Sequence, residues 1–156
     1  MRFIADSNVG GLAKRLRMAG FDALFFKDID DNRLVRIALD EGRVLLTKDT
    51  EIMKRRVVRS NRLKAILIED DDVRSQLHQV LTTLNLAAEV LPFSRCMECN
   101  EPLTPREKAD IEGLVPPYVF QTRTDYMQCP GCKRVYWRGT HWEKMNIELE
   151  EIIRGI

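Results

Sequence analysis

Short apolar runs alternating with amphipathic stretches predict an α/β fold: a mostly parallel sheet with helices on both faces, followed by a small cysteine-bearing module. Three observations carry this reading. The apolar runs are too short for helices and recur at a spacing of roughly 20 residues, with helical periodicity between them. Each run is bounded by Gly, Asp or Glu, as buried parallel strands are. All four cysteines of the 156-residue chain fall after residue 95, together with most of the prolines. The composition therefore divides the chain into residues 1–93 and residues 94–156.

Phe3-Ile4-Ala5 reads as the first strand, and Asp6-Ser7-Asn8 as a turn whose polar side chains suit a helix start. Val9, Leu12, Ala13, Leu16 and Met18-Ala19 give the next helix an apolar face, and Gly20 stops it. Phe21 to Phe26 is a second strand. Asp30 or Asp31 caps a second helix, whose buried side is Leu34, Ile37 and Ala38 and which Glu41-Gly42 closes. Arg43-Val44-Leu45-Leu46-Thr47-Lys48-Asp49 holds a third strand that ends in a carboxylate. A helix from about Thr50 has a very basic exposed side: Lys54, Arg55, Arg56, Arg59, Arg62 and Lys64.

Ala65 to Ile68 is a fourth strand ending in Glu69-Asp70-Asp71-Asp72, and a helix runs from about Val73 to Leu84. Ala87 to Leu91 reads as a last, edge strand, ended by Pro92. Beyond it, Thr104 to Ile111 reads as a small helix and Met145 to Ile153 as a closing amphipathic one. Right-handed crossovers join the strands.

The chain is 44% hydrophobic and 31% charged, enough for a core and a solvated surface. No apolar run is long enough to span a membrane, and Met1-Arg2-Phe3-Ile4 leads into a charged segment rather than a signal peptide. A cytoplasmic protein with no membrane partner is expected. The net charge of +1 gives no global attraction to nucleic acid, so such affinity needs a local patch.

Asp6, Asp30 or Asp31, Asp49 and the run Glu69 to Asp72 follow strands or cap helices at one sheet edge. That edge is where open α/β sheets bind ligands. One such aspartate is most simply a helix cap. Several converging would repel one another unless a cation lies among them. Hard oxygen donors suit Mg²⁺ or Mn²⁺, which can activate water for phosphodiester cleavage. A phosphoryl-accepting receiver is disfavoured, lacking its paired acidic start and late lysine. A haloacid-dehalogenase-type phosphatase is disfavoured because Asp6-Ser7-Asn8 lacks the Asp-x-Asp pair.

Cys96-Met97-Glu98-Cys99 and Cys129-Pro130-Gly131-Cys132 are two C-x-x-C pairs separated by 29 residues. Each pair can hold one side of a tetrahedral ion, and four thiolates complete the shell of a structural Zn²⁺. Glycine and small turn residues suit the tight knuckle around the sulfurs. A redox dithiol is the competing reading, without a thioredoxin-like context to support it. Arg134 to Trp142 interleaves aromatics with basic residues: the aromatics either stack on unpaired bases or pack the module.

The run Asp31 to Leu39, followed by Arg43 to Asp49, resembles the closing half of a PIN-domain nuclease, and Phe3 to Asn8 its opening strand. Continuing through Gly10 to Arg17 and Gly20-Phe21-Asp22, and with the Tyr-Trp-Arg-Gly-Thr-His-Trp run at residues 136–142, the chain is similar to the Mut-seven C-terminal RNase family. That family is a PIN branch with a zinc ribbon behind the catalytic fold. The resemblance implies a PIN-like nuclease domain over residues 1–93 and a zinc ribbon with a closing helix over 94–156. It implies a metal-dependent ribonuclease on RNA, expected to be single-stranded. Asp6, Asp31 and Asp49 would be the catalytic ligands for Mg²⁺ or Mn²⁺, with Asp30 as the neighbouring candidate. Cys96, Cys99, Cys129 and Cys132 would bind Zn²⁺. Between Phe26 and Asp30 the chain lacks the helices that in PIN proteins bring a glutamate. That feature favours the alternative, a non-catalytic RNA- or ribosome-binding protein with a vestigial site.

Overall fold

The computed structural model describes all 156 residues. Its first half runs β1 (Arg2–Ala5), α1 (Gly10–Met18), β2 (Asp22–Phe25), α2 (Asp31–Glu41), β3 (Val44–Thr47), α3 (Thr50–Met53), α4 (Arg56–Arg59), β4 (Ala65–Leu67) and α5 (Val73–Thr83). The strands form one four-stranded parallel sheet in the order β2-β1-β3-β4. Alternation along the strands builds two cores. Phe3, Ala5, Val44 and Leu46 face α1 and α5, whereas Ile4 and Leu45 face α2 and α3 through Leu34, Ala38 and Ile52. Every residue of β3 is buried, as a central strand covered on both faces requires. Each fully buried leucine there contributes about 1.5–3 kcal/mol.

The second half is a small antiparallel sheet, β5 (Thr104–Arg106), β6 (Tyr126–Gln128) and β7 (Val135–Trp137), with α6 (Pro117–Thr122) before β6. With its four-cysteine cluster this is a zinc-ribbon arrangement. The chain ends in α7 (Thr140–Arg154). Leu149 and Ile152 of α7 enter the core beneath α1 and α5, and ion pairs Arg15–Glu148 at 2.8 Å and Arg74–Glu151 at 2.9 Å flank them.

The first cysteine knuckle is bonded to the edge of the parallel sheet. Asn100 accepts from the Ala23 N–H at 2.9 Å and donates to Asp22 at 2.7 Å. The buried Arg17 donates to the Ala23 carbonyl at 2.8 Å and to the knuckle carbonyls of Met97 and Glu98 at 2.9 and 3.2 Å. Asp22 also binds Arg43, at 2.7 Å. Burial pushes the Asp22 carboxyl up, but hydrogen bonds from Arg43 and Asn100 outweigh it and leave its pKa below the ordinary range.

Four local expectations need correction. Ala87 to Leu91 is no strand: Ala87–Glu89 is a 3-10 turn, and the Leu91 N–H bonds the Ala19 carbonyl at the end of α1. Leu86, buried in the core, pulls this segment across that helix end, where only glycine fits at position 20. There φ is +95° and a Cβ would stand 2.4 Å from the Leu91 carbonyl oxygen. The basic helix after Asp49 is two short ones, α3 and α4. A continuous helix would stack like charges such as Arg55 and Arg59 one turn apart. Instead Arg55 is extended and precedes α4.

Thr104–Arg106 is a strand and only Lys108–Ile111 is helical, of 3-10 type. Pro105, which lacks an amide donor, lies on the edge strand of its sheet. Finally, the closing helix begins at Thr140 rather than near Met145.

Candidate active site and metal centre

β1 and β3 are neighbours in parallel register, with Ala5 opposite Leu46. Asp6 and the segment Thr47 to Asp49 therefore leave the sheet side by side at its carboxyl edge. The Asp6 N–H continues the ladder, bonding the Leu46 carbonyl at 2.9 Å. Asp6 is only 4% exposed. Its Oδ1 accepts the Ser7 N–H at 2.7 Å and its Oδ2 accepts the Thr47 hydroxyl at 2.6 Å. The same Thr47 oxygen accepts the Asp49 N–H at 2.9 Å. One fully buried hydroxyl thus joins both aspartate segments. Asp49 itself caps α3, accepting the Glu51 N–H at 2.8 Å. Asn8 accepts from the Lys48 N–H at 3.3 Å and adds a second stitch.

α2 runs back from the same edge. Asp30 is its N-cap, accepting the Arg33 N–H at 2.9 Å, and Asp31 is its first residue. The half-buried Asp31 side chain enters no hydrogen bond or ion pair. Arg55 donates to Asn32 at 2.9 Å and ties the start of α2 to the segment after α3. None of Asp6, Asp31 and Asp49 has a cationic partner among the ion pairs. Their oxygens do not close to within 4.8 Å of one another as a group of three; only the cysteine sulfurs do.

The run Glu69 to Asp72 has its own engagements. Asp72 caps α5 through the Ser75 N–H and hydroxyl, both at 3.0 Å, and Asp70 accepts the Asp72 N–H at 3.0 Å. Asp71 pairs with Lys48. Beside Asp49, residues 50–64 carry six Lys and Arg against one acid, Glu51. Lys54, Arg56, Arg59, Arg62 and Lys64 are exposed there.

In the ribbon, the Sγ atoms of Cys96, Cys99, Cys129 and Cys132 all lie within 4.8 Å of one another. The two knuckles match. Cys99 N–H points to Cys96 Sγ and Cys132 N–H to Cys129 Sγ, each at 3.4 Å. The following residues, Asn100 and Lys133, both take a left-handed φ of 67°. The tight turn thus uses those residues and not Gly131, whose φ is not positive. Thiols this close hold one another's protons: the Cys99 thiol is pushed up to about 12, first by its hydrogen bond with Cys132. Cys132 is drawn down to about 7, first by the Arg134 backbone N–H. A soft divalent cation relieves that competition by binding the thiolates.

The aromatic run divides. Tyr136 touches Cys96 Sγ through its hydroxyl at 3.1 Å, and that hydroxyl also accepts the Met97 N–H at 3.3 Å. Burial, then the Cys96 contact, raises the Tyr136 pKa. Arg138 lies over the rings of Phe93 and Trp142, 5.2 Å from each centroid. Trp137 packs on the small core around Ile111 and Tyr126. His141 is exposed and outside the tetrad. The sequence shows Asn8 in a polar helix start and Thr47 closing a buried strand before an acid, but not that they link the two aspartate segments.

A parallel α/β sheet with carboxylates at its carboxyl edge, bonded to a four-cysteine ribbon, defines a two-part α/β protein with a metal-binding module. The model of the Mut7-C RNAse domain matches residues 1–149, and the chain belongs to that family. No curated protein and no solved structure matches it. Membership points to a ribonuclease-type function with RNA as the substrate class. No helix is long and apolar enough to cross a membrane.

Proposed function

We propose that the chain is a PIN-like, Mg²⁺- or Mn²⁺-dependent ribonuclease acting on single-stranded RNA, with a structural Zn²⁺ on Cys96, Cys99, Cys129 and Cys132. One observation carries the reading: Thr47 Oγ1 bonds Asp6 at 2.6 Å and the Asp49 N–H at 2.9 Å, holding two carboxylate segments together at the sheet edge. The donor set fits a hard cation. All donors are oxygens, and the buried Asp6 carboxylate lacks any cationic partner. Asp6, Asp31 and Asp49 would hold the ion, with Asp30 beside them. Such an ion, if bound there, would lower the pKa of water and stabilise the leaving oxygen of the phosphodiester.

The chain's own residues do the remaining work. Thr47 orients Asp6 through its donated hydrogen bond. Lys48, engaged with Asp71, is kept away from the carboxylates and leaves their charge uncompensated. The exposed cations from Lys54 to Lys64 lie next to Asp49 along the chain and suit the RNA phosphates. The test is cleavage of a labelled single-stranded RNA with Mn²⁺ or Mg²⁺. Asp6→Asn and Asp49→Asn should each reduce the rate at least about 100-fold, the scale of losing an electrostatic group in a reacting site. Full activity in both variants overturns the assignment.

A second reading, RNA binding without cleavage, is favoured by the engagement of Asp70, Asp71 and Asp72 in local capping and ion pairing. RNA binding with no cleavage under either metal selects it.

A further inference from the structure

Between the ribbon and the helices beside it lies a cleft of about 540 Å³ that the proposed chemistry does not use. Its size falls within the roughly 300–1,000 Å³ of small-molecule sites. Lys14, Glu98, Tyr118, Arg123, Arg134 and Trp137 border it. The three cations against one carboxylate leave a surplus of two positive charges there. Glu98 is shared, at 3.0 Å from Lys14 and 3.5 Å from Arg134, while the Arg123 guanidinium enters no ion pair or hydrogen bond. Tyr118 on α6 is 68% exposed, and its hydroxyl has no partner.

The aromatic run supplies the contrast. Tyr136 is tied to the knuckle, while Arg138 and Trp142 are stacked with Phe93. Tyr118 and Arg123 have no comparable structural engagement, and Arg134 has only its exposed 3.5 Å pair with the shared Glu98. An exposed aromatic beside one uncommitted arginine and a second that shares its carboxylate provides one stacking surface and donors for an anion. Those are the two elements by which unpaired nucleotides are held without sequence readout.

We infer that this cleft seats an unpaired nucleotide of a single-stranded RNA, its base against Tyr118 and Trp137 and its phosphate on Arg123 and Arg134. The inference rests on the reading of the chain as a protein that acts on RNA, but not on its cutting RNA. Lys14, at the cleft rim, lies four residues into α1, about 6 Å along the axis from the helix start beside Asp6.

The experiment uses the full chain carrying Asp6→Asn and Asp49→Asn, so that binding is read without cleavage. A short thiouridine-bearing single-stranded RNA is followed by fluorescence anisotropy and by mapping of photo-crosslinks. Crosslinks to Tyr118 or Trp137 are expected. Added Tyr118→Ala should weaken single-strand binding about tenfold, the scale of one lost base–aromatic stack. Added Arg123→Ala should weaken binding and lower the salt dependence by about one phosphate contact. Zinc content and melting temperature, unchanged in both, exclude misfolding.

Crosslinks confined to residues 50–64, with affinity unchanged in both variants, would overturn the inference. So would equal binding of a duplex of the same sequence with no dependence on Tyr118. Wild-type protein that cuts RNA without using the cleft refutes this inference alone. Cleft crosslinks from a protein that cuts nothing refute the nuclease proposal alone.

Discussion

The cysteine tetrad of the ribbon and the carboxyl edge of the parallel sheet both gather acidic donors, by different means. In the ribbon each half of the set comes from a single turn, shaped by its own N–H···S bonds and a left-handed residue after it. The four sulfurs converge to within 4.8 Å and would complete the shell of a tetrahedral ion. At the sheet edge the carboxylates come from three separate segments, and those of Asp6 and Asp49 are aligned by strand order and by one shared threonine. Those carboxylates remain apart and without a cationic partner. A closed shell of soft donors serves architecture, whereas a set of hard donors that is still incomplete would leave coordination positions for a substrate's oxygens.

The sharpest way to separate the two regions is to dismantle one. Cys129→Ser, or chelation, should abolish ordered structure in residues 94–139 while amides of β1 and β3 stay protected in hydrogen exchange. Elemental analysis of the reduced wild-type protein should give one zinc per chain, and finding none would remove the premise.

The sheet edge is tested more gently. Thr47→Val leaves the buried Asp6 Oδ2 and the Asp49 N–H without their partner, a loss of about 1–3 kcal/mol in urea denaturation. RNA cleavage should fall as well, and Thr47→Ser should restore both. A variant with lower stability and unaltered cleavage would make Thr47 a packing residue only.

The junction between the regions should respond next. Asn100→Ala removes the partner of the Ala23 N–H and one of those on Asp22, for about 1–3 kcal/mol, with zinc content unchanged. The smallest effect is on pH dependence. Asp22 has its pKa lowered in the fold, so its network contributes fully above about pH 4. That contribution is lost as the pH falls through the still lower folded value. Asn100→Ala should reduce the acid-side slope of stability measured there, and an unchanged slope would separate Asn100 from the titration.

The four parallel strands were legible because each is a short apolar run with polar ends, a pattern that local sequence carries. The cysteine knuckles were legible for the same reason: spacing within one turn suffices. Ala87 to Leu91 misled because alternating small and apolar residues also describe a segment whose backbone bonds a helix end, here the Ala19 carbonyl. The break between α3 and α4 falls among six neighbouring cations, whose mutual repulsion periodicity does not register. Thr47, Asn100 and Arg17 were illegible as a class. Their partners lie 41, 77 and 80 residues away, and an isolated polar residue gives no sign of a distant one.

One of these long-range bonds has a consequence for the sheet itself. β2 is a terminal strand, and a strand at the margin of a sheet offers its free N–H and C=O groups to any passing chain. At Ala23 both groups are already taken, the first by Asn100 and the second by Arg17, which also grips the knuckle. The ribbon acts there as a stopper against lateral growth. A chain whose knuckle has come apart would present an unguarded seam to its neighbours, so a metal held by the four cysteines would also keep that seam covered.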